Sequence, residues 1–122
     1  MVPLDGSVRS EAVIPYIREL ASRLEVELTL VQVVSQANHD YMDAEDYLKI
    51  LCGLLEEEGV TSRYEVKVGA AADEIINLAD ELNIDLVAMS THGRTGVGRF
   101  TLGSVAQKVL FGGNTPILLV RD

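Results

Sequence analysis

Apolar residues along this chain follow two alternating rhythms, short continuous runs and the paired three-and-four spacing of buried helix faces. The run MVPL at 1–4 reads as a first strand, and residues 12–24 place Ala12, Val13, Tyr16, Ile17, Leu20, Ala21 and Leu24 on one helical side. Pro15, inside that helical stretch, predicts a kink. The segment LTLVQVV at 28–34 is nearly all apolar and rich in β-branched residues, as expected of a strand covered on both faces. A helix over 41–58 follows, with Tyr47, Leu48, Leu51, Cys52, Leu54 and Leu55 on one side and Gly59 as its stop. RYEVKV at 63–68 alternates strictly, Tyr64, Val66 and Val68 against Glu65 and Lys67, which suits an edge strand. A helix over 71–82 runs through Ile75, Ile76, Ala79 and Leu82, and IDLVAM at 84–89 gives a fourth strand. After a glycine-rich loop, 104–111 reads as a short helix closed by Gly112 and Gly113, and PILLV at 116–120 as a fifth strand.

Strands alternating with helices imply an α/β domain, a Rossmann-like open parallel sheet of five strands with helices on both faces. Right-handed crossovers leave few topologies. With the alternating third strand at one edge and the apolar second strand inside, the order 3-2-1-4-5 is expected. That order reverses direction between strands 1 and 4, and ligands of open α/β sheets bind at such a reversal, beyond the carboxyl ends of the strands. The ends of those two strands are Asp5, Gly6 and Ser7 on one side and Met89, Ser90 and Thr91 on the other.

Composition bounds the class. A chain of 122 residues with 48% hydrophobic positions suits a single domain, residues 1–122, able to bury its own core. No apolar run approaches the roughly 18 residues needed to span a bilayer. The start MVPLDGSVRS lacks the features of a secretion signal, and the single Cys52 fits a reducing compartment, so a cytoplasmic protein is expected.

Charge changes the picture more sharply. Residues 1–85 carry 18 acids and 6 bases, net −12, while 86–122 carry Arg94, Arg99, Lys108 and Arg121 against Asp122, net +3; together these give −9. An acidic protein with one basic stretch is a poor nucleic-acid binder, since that requires many phosphates neutralised at once. One small anion is the better fit. In STHGRTGVGRF, residues 90–100, Gly93, Gly96 and Gly98 permit close backbone approach, and the helix starting near Ser104 presents unpaired N–H groups. Arg94 and Arg99 add charge. The hydroxyls of Thr95 and Ser104 can donate to phosphate or ligate Mg²⁺, and the Asp5 carboxylate is a natural acceptor for ribose hydroxyls.

Structural roles for the same residues remain open at this level. Glycines after a strand also simply build turns, Ser104 is a natural helix N-cap, Asp5 can cap the turn into the first helix, and loop arginines can be merely solvated. Gly98 and Gly103 have four residues between them as in a Walker loop, but Ser104 occupies the lysine position, so that motif is absent. The dinucleotide fingerprint is missing after strand 1 as well. His39, His92 and Cys52 make no metal set, and His92 has no evident nucleophile or orienting carboxylate, so no catalytic residue is assigned.

The segments VPLDGS at 2–7, STHGRTGVGRFTLGSVAQKVL at 90–110 and TPILLVRD at the end resemble the universal stress protein family, over essentially the whole chain. The resemblance implies a flavodoxin-like fold. Its ATP-binding branch carries a glycine, two residues, a second glycine, nine residues, then Gly-Ser or Gly-Thr. Gly93 and Gly103-Ser104 match this spacing, while Ser90 stands where the first glycine falls. Only Met1 to Leu4 precede Asp5, fewer residues than family members usually have in strand 1, which leaves two expectations, a short strand or a misplaced chain start.

The resemblance implies that Asp5 contacts ribose, that Val33 lies near adenine, and that Gly93, Gly103 and Ser104 hold phosphates. The expected nucleotide site thus comprises Pro3, Asp5, Gly6, Ser7 and Val33 on one side and Ser90, His92, Gly93, Arg94, Thr95, Gly96, Gly103, Ser104 and Val105 on the other. ATP with Mg²⁺ or Mn²⁺ bound through its phosphates is the implied ligand, in a regulatory protein of the stress response with an unknown protein partner. The alternatives are a dimeric interaction module of the same fold that binds no nucleotide, and a slow ATP hydrolase. Neither nucleic acid nor membrane is an expected partner. Ile117, Leu118, Leu119 and Val120 would form an uncovered apolar edge strand, and family members commonly dimerise through it, so a homodimer is expected.

Overall fold

The computed structural model describes residues 1–35, 39–92 and 102–121. Strand β1 is Val2–Pro3, a 3-10 turn spans Ser10–Val13, and α1 runs Ile14–Arg23. Then come β2 at Glu27–Val34, α2 at His39–Glu57, β3 at Thr61–Val68 and α3 at Ala71–Glu81. β4 is Val87–Ser90, α4 is Ser104–Gly112 and β5 is Ile117–Val120. All strand pairs are parallel. β1, β2 and β3 lie side by side in that order, with Val2 opposite Leu30 and Leu30 opposite Tyr64, and β4 pairs β5 with Val87 opposite Ile117.

The expected continuous five-stranded sheet is present as these two pieces, and β1 gives the reason. It has two residues, and Pro3 has no N–H to extend a ladder. Two backbone bonds at Met1 nevertheless join the pieces: its ammonium donates to the Leu86 carbonyl at 2.7 Å, and Ala88 N–H donates to the Met1 carbonyl at 2.9 Å. Among the described residues β3 pairs with β2 alone, which agrees with the edge position its alternation implied.

Helices cover both faces because neighbouring strand residues point opposite ways. Leu28 and Leu30 of β2 and Ala88 of β4 join Val13 and Ile17 and the α2 residues Leu48, Leu51 and Leu55 in one core. Val31 of β2 and Val87 and Met89 of β4 join Ala72, Ile75 and Leu78 of α3 and Ala106 and Val109 of α4 in the other. Both cores draw on both sheet pieces. Each fully buried leucine or valine contributes about 1.5–3 kcal/mol relative to exposure.

Two helical expectations are corrected. Pro15 lies in the first turn of α1, where its missing N–H has no helical partner to lose, so no mid-helix kink is needed. Tyr16, Leu24 and Leu54, assigned by spacing to buried stripes, are exposed: Tyr16 and Leu54 lie at the margins of their stripes, and Leu24 is the C-cap of α1, where the backbone is already extended and leaves the helical face.

Candidate functional site

A cavity of about 280 Å³ opens where β1 and β4 end, at the expected reversal point. This is near the lower end of the roughly 300–1,000 Å³ typical of small-molecule sites. Pro3, Leu4 and Asp5 form one rim, and Ser90, Thr91 and His92 the other. Val31, Val33, Ile75 and Met89 supply an apolar wall. The first turn of α4, from Ser104 to Ala106, closes a further side together with Gly103.

The β1 rim is built by side chains. Asp5 Oδ1 accepts hydrogen bonds from both the backbone N–H and the hydroxyl of Ser7, the first at 2.9 Å. Ser10 N–H donates to Ser7 Oγ at 3.2 Å, Ser10 Oγ donates to the Ser7 carbonyl at 2.9 Å, and Asp5 N–H donates to Ser10 Oγ at 3.3 Å. Gly6 allows the reversal because its φ is +85°, where side chains are strained. Gly6 and Ser7, expected to touch ligand, do not line the cavity; they hold Asp5, which does. One oxygen of Asp5 therefore caps the turn, the structural role left open by the sequence.

The opposite rim is fixed by backbone. Thr91 N–H donates to the Val120 carbonyl and the Thr91 carbonyl accepts from Gly103 N–H, both at 2.8 Å. A Cβ on Gly103 would sit 2.8 Å from that same carbonyl oxygen, closer than real contacts permit. Ser90 Oγ donates to the His92 carbonyl, so the hydroxyl at the first-glycine position of the spacing motif is engaged with the chain's own backbone. His92 is buried and lines the cavity, with Nδ1 3.2 Å from Thr91 Oγ1.

The start of α4 supplies the local electrostatics. Gly103 is the N-cap and has no side chain to cap the helix, and the first turn holds no acid. Ser104, a natural N-cap by sequence, is instead the first helical residue, because the bond from Gly103 N–H to Thr91 fixes where the helix begins. The N–H groups of that first turn have no intrahelical partners, and the peptide dipoles place about half a positive charge there. An anion is the group such an end accepts.

On the far side of the Asp5 turn, Tyr47 of α2 donates to Glu11 Oε2 at 2.9 Å. Its phenol is pushed well above the usual range, first by burial, then by the Glu11 carboxylate and more weakly by Asp5.

Of the expected residues, Pro3, Asp5, Val33, Ser90, His92, Gly103, Ser104 and Val105 come together around the cavity. Gly93, Arg94, Thr95 and Gly96, together with Gly98 and Arg99, lie outside the described residues. Lys108 and Arg121 are exposed and neither lines the cavity, so the basic character of the carboxyl-terminal stretch reaches it through no described side chain. Leu4, Ser10, Val31, Ala71, Ile75 and Ala106 were not assigned to the site by sequence, while Met89 and Thr91 were placed at the strand end beside it but not among the ligand contacts. Val31 was legible, since it shares a strand face with Val33 two residues away. Ala71 and Ile75 arrive by tertiary packing of α3 and had no local signal. Among the described residues no group of three or more His, Cys, Asp or Glu is placed to hold a metal, and no helix is long and apolar enough to cross a membrane.

Comparison with known proteins adds an independent line. Residues 1–121 match the model of the universal stress protein family. Universal stress protein MJ0531 of Methanocaldococcus jannaschii is 29% identical over 136 aligned positions, covering 99% of this chain and 80% of that one. The solved structure of MJ0577 from the same organism superposes with a TM-score of 0.91 at 23% identity, covering 99% and 93% of the two chains. A universal stress protein from Archaeoglobus fulgidus, solved in complex with dAMP, superposes with a TM-score of 0.75 at 22% identity, covering 98% and 96%.

Proposed function

Because this chain belongs to the universal stress protein family, we propose that its cavity binds an adenine nucleotide, ATP by preference, as a regulatory ligand. The observation that carries this reading is the pairing of chemistries across one cavity: a carboxylate, Asp5, on one rim and the acid-free first turn of α4, with glycine at its N-cap, on the other, with an apolar wall between. An aromatic base suits Val31, Val33 and Met89. Ribose hydroxyls suit the Asp5 carboxylate, and phosphates suit the N–H groups beginning at Ser104. His92, Pro3, Ser90, Gly103 and Val105 complete the contact surface. Gly93, Arg94, Thr95 and Gly96 are assigned to the phosphates by spacing alone. The dAMP complex of the Archaeoglobus relative supports a nucleotide in this fold.

Mg²⁺ or Mn²⁺ would be carried by the phosphates, with Ser104 and Thr95 as hydroxyl ligands, and would supply charge neutralisation there. No residue is assigned to activate water, so turnover is at most slow. The two sheet pieces act as one sheet in the order 3-2-1-4-5, joined at Met1, which makes β5 an edge. Ile117, Leu118 and Leu119 of that edge are only partly buried, and a homodimer through β5 would cover them. Leu119→Lys is then expected to yield monomer by light scattering, and a monomer already in the unaltered chain would remove the dimer from the proposal. A cytoplasmic location is part of the same reading.

A second reading, an interaction module that binds no nucleotide, is favoured by two contacts: Gly103 must be glycine for the Thr91 carbonyl alone, and Asp5 Oδ1 already serves the turn. Calorimetric titration with ATP and Mg²⁺ separates the two. The nucleotide reading expects one saturable site per chain and a rise in Tm, since a ligand at one hundred times its Kd adds about 2.7 kcal/mol to stability. No heat and an unmoved Tm at saturating concentration would establish the second reading in its place.

A further inference from the structure

The solvent face of α2, away from the cavity, carries apolar residues that neither core cluster includes. Ala44, Leu48, Leu51 and Leu55 turn inward and are buried, spaced four, three and four apart as one helix face requires. The opposite side should then be polar. Instead Met42 and Ile50 stand 65% and 67% exposed there, and Leu54, between that side and the buried stripe, is 48% exposed. They sit eight and four residues apart, a strip about 18 Å long at 1.5 Å per residue. Single exposed apolar residues are ordinary on protein surfaces, but three aligned on one helix side are not.

Gly53 lies among them, within the helix, and a Cβ built there would meet nothing within 4 Å. The protein's own packing therefore gives no reason for a glycine, and a glycine weakens a helix relative to alanine. What it does leave is a flat place beside Ile50 and Leu54 where another backbone can come close.

Charge selects the occupant. α2 holds Asp40, Asp43, Glu45, Asp46, Glu56 and Glu57 against Lys49 alone. Asp43, Asp46 and Glu57 share the solvent side with the apolar strip and are exposed. A second copy laid α2 against α2 would bring these carboxylates together, and nucleic acid or an anionic membrane would meet the same repulsion. A basic amphipathic helix satisfies both features, its apolar side on Met42, Ile50 and Leu54 and its cations on the flanking acids. We propose that the solvent face of α2 is a docking surface for a cationic amphipathic helix of a partner protein, received across Gly53.

The test uses the full chain and a fluorescent helical peptide of alternating leucine and lysine faces, read by anisotropy at low salt. The double substitution Ile50→Asn with Leu54→Asn is expected to weaken binding about tenfold or more. Gly53→Gln is expected to raise Tm, because glutamine is the better helix former, and yet to weaken the peptide. Those opposite signs separate docking from folding. Asp80→Asn with Glu81→Gln on α3 changes net charge equally to the removal of Asp43 and Asp46, and is expected to leave binding unchanged while the α2 pair reduces it. The proposal is overturned if the apolar and Gly53 variants bind as the parent does, if a lysine-matched peptide without leucine binds equally well, or if the α3 variant loses as much as the α2 one. It is also overturned if the Ile50 and Leu54 variant shifts the chain itself to a smaller species in sedimentation, which would make a second copy the occupant.

Discussion

The two rims of the cavity are held by different means. On the β1 rim, side chains do the positioning: Ser7 and Ser10 fix each other and present Asp5. On the β4 rim, backbone groups do it: Thr91 is bonded to Val120 on one side and to Gly103 on the other, and what matters at Gly103 is the absence of a side chain. A rim of side chains can be altered one hydroxyl at a time. A rim of backbone contacts tolerates little, because adding a carbon displaces the carbonyl of Thr91, a residue whose N–H is held by β5 and whose oxygen is held by the start of α4.

The largest effect expected from this contrast is that of Gly103→Val. The new Cβ meets the Thr91 oxygen, so without any ligand the protein should lose about 3 kcal/mol in urea denaturation, as overpacking of a rigid site does. A variant as stable as the parent that fails only in ligand binding would show that the glycine serves the ligand instead.

Next in size is the seam that joins the rims. Burial pushes the Met1 ammonium down to about 6 from 8.0, against a smaller opposing pull from Asp85. The folded state therefore holds fewer protons than the unfolded one between pH 6 and 8. Stability from this group is full above pH 8 and is lost as pH falls toward 6, on the order of 2 kcal/mol in all. Acetylating the amine of a chain that starts at Met1 removes this slope. An unchanged slope after acetylation would assign it to other groups.

Ser7→Ala should cost about 1 kcal/mol, because it removes the hydroxyl to Asp5 and the acceptor for Ser10 N–H. Its effect on nucleotide affinity should exceed its effect on inorganic triphosphate, since Asp5 faces the sugar in the proposed site. Equal losses for both ligands in calorimetry would leave Asp5 with the turn alone. The smallest change is expected of Ser90→Gly. It removes the bond to the His92 carbonyl, with a stability loss of about 0.5–1 kcal/mol by thermal denaturation. A larger loss would mean that the backbone rim also depends on a side chain.

The same contrast explains what the sequence could reveal. The β1 rim was readable as Asp5, Gly6 and Ser7 because turns announce themselves locally, although only the fold shows that Ser7 supports rather than touches. The run at 28–34 and the alternation at 63–68 located β2 inside and β3 at an edge, since burial on two faces or one leaves a direct mark on residue choice. The bond from Gly103 to Thr91 left no such mark, because backbone groups are the same in every residue. Tyr16 and Leu54 misled for a related reason: spacing finds a helix side but not how far the sheet beneath it extends. Ile75 and Ala71 reach the cavity only through the packing of α3, a tertiary fact.

The most direct test of the central claim is a methyl-resolved NMR titration of the protein with ATP and Mg²⁺. The proposed site predicts saturable shifts at Val31, Val33, Ile75, Met89 and Val105, the residues that line the cavity, with Met42, Ile50 and Leu54 on the outer side of α2 unmoved at the same concentrations. Saturable shifts centred elsewhere, or none at any of the cavity methyls, would contradict it.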